Sequence, residues 1–309
     1  MGPVAPAEPP APRTPAGRGI AALDPVPPVA LVLLGVTSIQ FGAALAATLF
    51  DRLGPSGTSA LRLGFAALVL VVAWRPDPRA HPWRHLRLAG AFGLTLGAMN
   101  LLFYEALDRV PLGVAVTVEF LGPIGVATAL SRRRPDYVWV VLAVCGVVLL
   151  AAPGSGGGID ALGLVFALSA AACWAGYILL AERAGRVFDA GEGLAMAMVV
   201  AALIPIIPGI AEAGSALLTP SLLLSGFAVA LLSSVIPYSL ETEALRRIPA
   251  RVFGVLMSLE PSVAALAGFL VLGQSLGARE IVAIALVVAA SVGVTRGAAT
   301  QRVEATLDA

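Results

Sequence analysis

A short motif occurs twice in this chain, 138 residues apart. Residues 105–111 read EALDRVP and residues 243–249 read EALRRIP, and Pro123 and Pro261 keep the same offset. Five apolar segments separate the start of one copy from the start of the other, and an odd number of membrane crossings turns the second copy upside down. Inverted repeats of this kind build the central site of many secondary transporters. The repeat therefore predicts a membrane carrier with two related halves.

The composition places the chain in a lipid bilayer. Of its 309 residues 58% are hydrophobic and only 13% are charged, and the mean hydropathy is +0.91. A soluble protein of this length needs more charge to cover its surface. The net charge of +1 argues against a nucleic-acid partner. All 20 basic residues are arginine, which excludes lysine Schiff-base chemistry and a Walker A lysine.

Ten apolar segments have the length of a membrane span, about 20 residues. We therefore predict an all-α membrane protein with ten transmembrane helices, arranged as two inverted five-helix repeats. The predicted spans are 28–50, 57–74, 87–106, 110–130, 136–153, 160–181, 190–211, 220–240, 250–272 and 277–295.

Arginine predicts the orientation, because cytoplasmic loops are enriched in it. With the amino terminus inside, the inner segments hold sixteen arginines and the outer loops hold three, Arg52, Arg109 and Arg279. The two copies of the repeated motif also differ in charge, since Asp108-Arg109 is neutral and Arg246-Arg247 is doubly positive. Both termini are therefore expected in the cytoplasm.

Changes in composition divide the chain into five parts. Before the first span the chain is rich in proline and poor in large apolar residues, which is typical of disorder. The expected parts are a disordered Pro-rich tail at 1–27, a first repeat of five helices at 28–153, a Gly-rich linker at 154–159, a second repeat of five helices at 160–296 and a cytoplasmic tail at 297–309.

Two carboxyl groups are expected near the middle of the membrane. Glu119 lies one turn before Pro123 in the fourth span, and Glu260 lies directly before Pro261 in the ninth. A charge at this depth costs about 2.5–3.5 kcal/mol on insertion scales and usually lines a pathway. The two glutamates are candidates for carrying protons or binding a substrate ammonium group. Alternatively, each is a protonated side chain bonded to a neighbouring helix, and each proline is either a source of free carbonyl groups or a packing kink.

Four further side chains are candidates for shaping a binding cavity. Gln40 and Asn100 are amides at membrane depth, where they either bind a substrate or hold helices together. Trp174 and Tyr177 lie one turn apart in the sixth span, away from the interface. These two aromatic rings either wall a cavity or fill the core.

A polar stripe in the eighth span and one arginine complete the candidate site. Ser233, Ser234 and Tyr238 form the stripe. Arg62 lies about 8 Å inside the second span. It is expected to bind a substrate carboxylate, to pair with Glu105, or to extend to the outer headgroups.

Other sequence patterns predict neither a metal site nor a cofactor. The glycine-rich stretch at 154–158 has no lysine after it, so we interpret it as a linker between the halves. His81 and His85 are interrupted by Pro82. Cys145 and Cys173 lie in apolar segments and are expected to be core residues.

Several of these segments resemble a known family, the EamA branch of the drug/metabolite transporter superfamily, and within it most closely the bacterial threonine and homoserine exporters. The similarity covers roughly residues 28–296. The segments that carry it are 38–40 (SIQ), 58–63 (TSALRL), 110–116 (VPLGVAV), 119–123 (EFLGP), 172–179 (ACWAGYIL), 237–241 (PYSLE) and 254–261 (GVLMSLEP).

This resemblance implies ten helices in two inverted repeats, an inner-membrane location and export of small hydrophilic amino acids driven by protons. Three features depart from the family pattern. Phe41 follows Gln40 where a glycine is expected, Gln274 stands in place of a glutamate, and the amino-terminal tail is long. The first departure would narrow the cavity beside Gln40 and bears on the substrate.

Two alternatives differ in function from an amino-acid exporter. The nearest keeps the fold and exports other metabolites or drugs, for which an aromatic-lined cavity would be evidence. An intramembrane enzyme would need a nucleophile with a base, or metal ligands, on facing spans, and the sequence has no convincing set of these. We therefore expect a transporter and not an enzyme, with small-molecule, proton and lipid partners.

Overall fold

A computed structural model describes residues 25–129, 136–151, 160–188, 191–245, 247–248 and 250–307. Within these ranges all regular structure is helical. Fourteen α-helices follow one another: α1 Pro28–Ala47, α2 Phe50–Trp74, α3 Trp83–Leu107, α4 Leu112–Glu119, α5 Leu121–Ala129, α6 Asp136–Ala151, α7 Ala161–Ala184, α8 Glu192–Leu203, α9 Ile206–Ala213, α10 Pro220–Ala230, α11 Ile236–Leu245, α12 Ala250–Met257, α13 Glu260–Leu272 and α14 Ala278–Leu307. A π-helical turn, Leu231–Val235, joins α10 to α11.

The helices form a multi-pass membrane protein. Seven helical segments are long and apolar enough to cross a bilayer, and the bent pair of α8 and α9 makes an eighth. The two remaining predicted spans, the fifth and the tenth, fall on α6, which has 16 residues, and on α14, which has 30. Large apolar side chains cover the outer surface, among them Ile207, Leu218 and Leu224, each more than 70% exposed. Such a surface suits lipid and not water.

The predicted tail and linker lie mostly or wholly outside the described residues, since 1–24 and 154–159 are not described. At the other end of the chain, α14 extends to Leu307. Residues 297–307 of the expected cytoplasmic tail are therefore helical.

Two predicted spans are broken in their middle. The span at 110–130 consists of α4 and α5 with Phe120 between them, and the span at 250–272 consists of α12 and α13. Pro123 and Pro261 have no N–H to donate to the carbonyl four residues earlier, so each weakens the helix at that point. The helices α4 and α12 have eight residues each, and both of their ends differ by the 138 residues of the sequence repeat.

The second span begins earlier than its composition suggests. The first predicted span ends at residue 50 and the second begins at residue 57, whereas α2 already begins at Phe50. The gap between the predicted spans contains a kink inside α2, where Gly54 has a φ of 66°. A side chain at Gly54 would collide with the Glu212 carboxylate of α9, so the kink needs glycine.

The two halves of the chain interlock and do not form separate bodies. The helix α3 packs along α7 and α8, α6 packs along α14, and α1 lies against α11 and α13. Each of these pairs joins a helix before the linker to one after it. As a result, the interior of the molecule is built from both halves, and the broken helices α4 and α13 face each other there.

Candidate functional site

A cavity of about 390 Å³ lies at the helix breaks. Its volume is near the lower end of the range for ligand pockets, roughly 300–1,000 Å³. Eight of the ten candidate side chains line it, and so does Pro123; the eight are Gln40, Arg62, Asn100, Glu119, Trp174, Tyr177, Tyr238 and Glu260. The other two candidates, Ser233 and Ser234, are not among the lining residues. The other proline, Pro261, is buried in the first turn of α13. The helices that supply these side chains come from both halves of the chain.

The two predicted carboxyl groups both lie next to a break, one before it and one after it. Glu119 is the last residue of α4, and Glu260 is the first residue of α13. Their exposed fractions are only 9% and 4%. Glu119 has no hydrogen-bond partner among the described residues, although the cavity beside it has room for one. These carboxyl groups are therefore available to a proton or to a ligand.

The amide of Gln40 holds Glu260 from the opposite half. Its Nε2 donates to Glu260 Oε2 at 3.3 Å. Its Oε1 is buried and has no partner in the described part of the chain. An unpartnered buried acceptor costs about 1–3 kcal/mol, which a donor on a ligand would recover. The second amide, Asn100, donates from Nδ2 to Leu96 O of its own helix at 2.8 Å.

Arg62 is held inside the membrane by three neighbours. Its guanidinium donates to Tyr104 Oη at 3.2 Å, to Ser233 O at 3.0 Å and to Ser234 Oγ at 3.4 Å. A guanidinium has five N–H groups, so two remain free to bind a ligand. The alternative pairing with Glu105 is wrong, because Glu105 binds Arg109 at 3.0 Å instead. Extension to the headgroups is also wrong, since Arg62 is 5% exposed.

The π-helical turn explains how Arg62 is held. In this turn the backbone leaves the α-helical pattern, so carbonyl groups become available to other donors. Ser38 Oγ of α1 donates a hydrogen bond to Leu232 O at 2.7 Å, and the guanidinium of Arg62 donates one to Ser233 O. The sequence showed Ser233 and Ser234 as a polar stripe, but a π-turn has no recognisable sequence pattern, so this use of the backbone was missed.

Aromatic rings form much of the wall. Trp174 meets Phe120 edge to face, with ring centroids 5.1 Å apart, and Tyr177 lies 5.3 Å from Phe92. Phe120 is the residue at the break between α4 and α5. Phe41, by contrast, packs in the main core and is not among the lining residues. The narrowing of the cavity expected from Phe41 is therefore absent from the described lining.

One carboxyl group of the cavity was not predicted. Glu241 of α11 lines it together with Glu119 and Glu260. Its position could have been found from the sequence, because Ser234, Tyr238 and Glu241 follow helical spacing on one face. Among the described lining residues there are thus three carboxyl groups and one cation, Arg62.

A polar network ties α2, α3 and α9 together at the ends of these helices near Gly54. Glu212 accepts from Ser56 N at 2.9 Å and from Ser56 Oγ at 2.9 Å, and Glu105 Oε1 lies 3.2 Å from the same hydroxyl. Glu105 is bound in turn by Arg109. The network joins both halves of the chain on one side of the cavity.

A backbone contact of a different kind lies nearby. Leu112 N, at the start of α4, donates to Gln274 Oε1 at 3.0 Å. Gln274, one of the departures from the family pattern, therefore caps a helix of the other half. In the described residues no three His, Cys, Asp or Glu side chains form a group that could hold a metal.

Comparison with known proteins agrees with this architecture. The chain is 44% identical over 276 residues to the threonine/homoserine exporter RhtA of Salmonella typhimurium, and equally to that of Escherichia coli, covering 87% of this chain and 91% of each relative. It is 28% identical over 240 residues to the uncharacterized transporter YwfM of Bacillus subtilis, covering 74% and 80%. One solved crystal structure has the same fold, with a TM-score of 0.58 and 21% identity over 85% of this chain and 95% of that one.

The second half of the chain also matches a known family of transporters. Residues 161–296 match the EamA-like transporter family. Together with the 44% identity over most of the chain, this match means that the protein belongs to the EamA-like transporter family.

Proposed function

We propose that this protein exports threonine, homoserine and similarly small amino acids across the cell's inner membrane in exchange for protons. The observation that carries the proposal is the cavity at the helix breaks, with three carboxyl groups and one guanidinium around a small volume. The guanidinium can pair with the carboxylate of an amino acid, and a carboxyl group can pair with its ammonium group. The relatives named threonine/homoserine exporters, which are 44% identical to this chain over 276 residues, support the choice of cargo.

The proposed topology has ten spans in two inverted five-helix repeats, with both termini in the cytoplasm. The excess of arginine in the even-numbered loops and tails supports it. The equal offset of α4 and α12 supports the repeat. On this topology α6 and α14 each cross the membrane, and the repeats occupy residues 28–153 and 160–296.

The cavity in this structure faces the cytoplasm if that topology holds. Its lining residues Tyr238 and Glu241 on α11, and Phe253 and Gly254 on α12, lie toward the helix ends that the topology places inside. The network of Ser56 with Glu212 and Glu105 closes the opposite side. The conformation is thus the one that loads cargo from the cell.

The charged groups define a binding mode for an amino acid. The two free N–H groups of Arg62 bind the carboxylate, as paired guanidinium donors do. The ammonium group binds Glu260, Glu119 and the free Oε1 of Gln40. Asn100, Trp174, Tyr177 and Tyr238 shape the space for the side chain, while Pro123 and Pro261 keep the helices broken at the carboxyl groups.

Competition for the same carboxyl groups couples protons to cargo. Three carboxylates beside one guanidinium in a low dielectric leave excess negative charge, which is costly without a proton or a bound cation. A proton therefore occupies the site when cargo is absent, and the ammonium group replaces it. Each proton entering down about 100 mV supplies roughly 2.3 kcal/mol, equivalent to an approximately fiftyfold gradient.

Alternating access requires more than a rigid movement of one half against the other. Because α3 packs on α7 and α6 packs on α14, the moving units must contain helices of both halves. Opening to the outside must separate α2 and α3 from α9, where the Ser56 network now joins them.

The deciding experiment is uptake of labelled threonine and homoserine into inside-out membrane vesicles, with and without an imposed proton gradient. Such vesicles accumulate what the cell exports, so gradient-dependent accumulation is expected for both. Glu119→Gln and Glu260→Gln should each abolish the response to the gradient. The control is Glu182→Gln, because Glu182 pairs with Arg186 at the exposed end of α7, away from the cavity. The assignment of the carboxyl groups fails if both variants remain proton-driven.

The aromatic wall supports a second candidate, an exporter of larger apolar metabolites. Phe103, Phe120 and Phe253 line the cavity beside Trp174 and the two tyrosines. The same vesicles distinguish the candidates when phenylalanine and a cationic aromatic dye replace threonine. Accumulation of these compounds without accumulation of threonine would favour the second candidate.

A further inference from the structure

The carboxyl group of Glu241 adds to the negative charge of the cavity, but it contacts no group of the cargo in the binding mode described above. It lines the cavity, is partly exposed, and has no hydrogen-bond partner in the part of the chain that the structure describes. Its side chain lies against Gly35 of α1, where a Cβ would be 3.5 Å from Glu241 Cγ. An ionisable side chain inside a membrane protein has a high energetic cost and usually marks a functional site.

Glu241 differs from the other two carboxyl groups in its depth. The eighth predicted span ends at residue 240, so Glu241 lies one residue beyond that end. Glu119 lies eleven residues before the end of the fourth predicted span at residue 130, or about 17 Å from it. On the proposed topology both span ends face the cytoplasm. Glu241 is therefore nearer to the cytoplasm than Glu119 by about 18 Å.

The three carboxyl groups belong to one electrostatic system. The charges of Glu241 and Glu119 both act on Glu260. At about 30 Å³ for each molecule of liquid water, the cavity has the volume of roughly thirteen waters. That volume is enough for a water chain between Glu260 and Glu241 when no cargo is bound.

Few other ionisable groups surround Glu241. Tyr238 precedes it by one turn on the same helix, and Tyr177 of α7 interacts with it electrostatically. Of the elements packed on α11, α1 and the π-turn carry no ionisable residue, and α12 carries Arg251 in its first turn. Among the described lining residues, Glu241 is thus the one acidic group at the end of the cavity facing the cytoplasm.

We propose that Glu241 is the proton-release group of this transporter, a role that rests on the proposed proton-coupled export. A proton leaves the carboxyl group of Glu260 or Glu119 and moves through cavity water to the Glu241 carboxylate. The donor becomes a carboxylate that binds the ammonium group of the cargo. Glu241 then gives the proton to water on the cytoplasmic side and returns to its ionised form.

The test separates net transport from exchange. Inside-out vesicles expose the cytoplasmic face to the bath, so proton release occurs into a medium whose pH and buffer are controlled. For Glu241→Gln, gradient-driven threonine accumulation is expected to fall by about a hundredfold, the lower side of what a positioned proton-transfer group contributes. Exchange of internal for external threonine without a gradient needs no net proton release, so it should stay near the wild-type rate.

Two further measurements exclude a merely structural role. Imidazole in the bath should restore much of the lost accumulation in Glu241→Gln, because a small buffer can replace the missing carboxylate. Glu241→Asp should keep most of the activity, and Glu241→Asn, its neutral counterpart, should lose it. Rates are normalised to the amount of each variant in the membrane, and Glu182→Gln serves as the control.

The outcomes are distinct. The inference is overturned if Glu241→Gln loses accumulation and exchange in parallel. It is also overturned if Glu241→Gln and Glu241→Asn both leave accumulation unchanged. In either case transport by the wild-type protein still supports the proposed function. If the wild-type protein itself shows no gradient-dependent accumulation of threonine, the proposed function fails first.

Discussion

Gln40 Nε2 donates a hydrogen bond to Glu260 Oε2 at 3.3 Å, across a separation of 220 residues in the chain. The bond joins α1 of the first half to the broken helix of the second half. It fixes one oxygen of Glu260 and leaves the Gln40 Oε1 without a partner. The pair therefore presents two acceptors to the cavity, which is the arrangement that an ammonium group needs.

Replacing Gln40 should weaken cargo binding more than it affects folding. In Gln40→Leu the Oε1 acceptor is lost and Glu260 loses its donor. We expect the KM for threonine exchange in vesicles to rise about tenfold, in line with the loss of one hydrogen bond to a charged group. Thr37→Val is the control, since Thr37 is exposed on the same helix and bonds only to Leu33 O of its own helix. An unchanged KM in Gln40→Leu would remove Gln40 from the site.

Arg62 should distinguish an amino acid from the corresponding amino alcohol, which has no carboxylate. The residue is held by Tyr104 and the π-turn with two N–H groups free, so Arg62→Gln removes the carboxylate partner. Threonine should lose about 10- to 100-fold in apparent affinity, corresponding to roughly 1.5–3 kcal/mol for hydrogen bonds to a charged group. Threoninol has no carboxylate, and its competition with labelled threonine should change little. Equal losses for both compounds would point to a collapsed cavity instead.

A disulfide between α2 and α9 should stop the transport cycle. A Cβ built on Gly57 lies 3.0 Å from the Ala213 Cβ, close to the Cβ separation of about 3.5–4.5 Å in disulfides. We expect the double variant Gly57→Cys with Ala213→Cys, with Cys145 and Cys173 replaced by alanine, to lose transport on oxidation and to regain it on reduction.

Each single cysteine variant in the same background controls for the substitutions themselves. If the crosslinked protein transports at the rate of the reduced protein, α2 and α9 do not separate during the cycle. The proposed opening on that side of the molecule would then be incorrect.

The close approach of α5 and α7 beside Glu119 should depend on Gly122. A Cβ at Gly122 would lie 2.3 Å from Ala171 O, a backbone atom that cannot turn away. Gly122→Ala should therefore destabilise the protein by about 1–3 kcal/mol, the usual cost of overpacking. Gly125→Ala is a matched control one turn away, with nothing within 4 Å of its Cβ. There alanine should be neutral or stabilising by up to about 1 kcal/mol.

Thermal unfolding in detergent measures both substitutions. The melting temperature should fall for Gly122→Ala and stay level or rise for Gly125→Ala. Equal changes in the two variants would mean that the α5–α7 contact does not limit stability, and that helix propensity alone explains the effect.

Much of the cavity could be predicted from individual residues. Glu119, Glu260, Gln40, Asn100 and Arg62 are conspicuous because a polar group at membrane depth has a high energetic cost. Their depth follows from counting residues along a span, so their approach to one another near the midplane was foreseeable. Their contacts were not, because these depend on how each helix is rotated about its axis.

The helix breaks, too, could be predicted only in part. Pro123 and Pro261 were visible as sites of weakened helix, but a proline is compatible with either a kink or a full break. The structure has short interruptions whose residues Phe120 and Leu259 keep right-handed helical dihedrals, with α4 ending at Glu119 and α13 beginning at Glu260. A break is stable only where neighbouring helices satisfy and pack around the freed backbone, and those neighbours come from distant parts of the chain.

The sequence by itself determined that this chain lies in a membrane, that its motif is doubled and which polar residues stand at depth. These are properties of composition and linear order, and they survive any rotation or packing of the helices. Only the tertiary structure decided that Arg62 binds the π-turn and not Glu105, and that Gln274 caps α4. Each of these contacts joins residues of separate helices, and their geometry is set by side-chain packing between helices, which periodicity in one segment cannot specify.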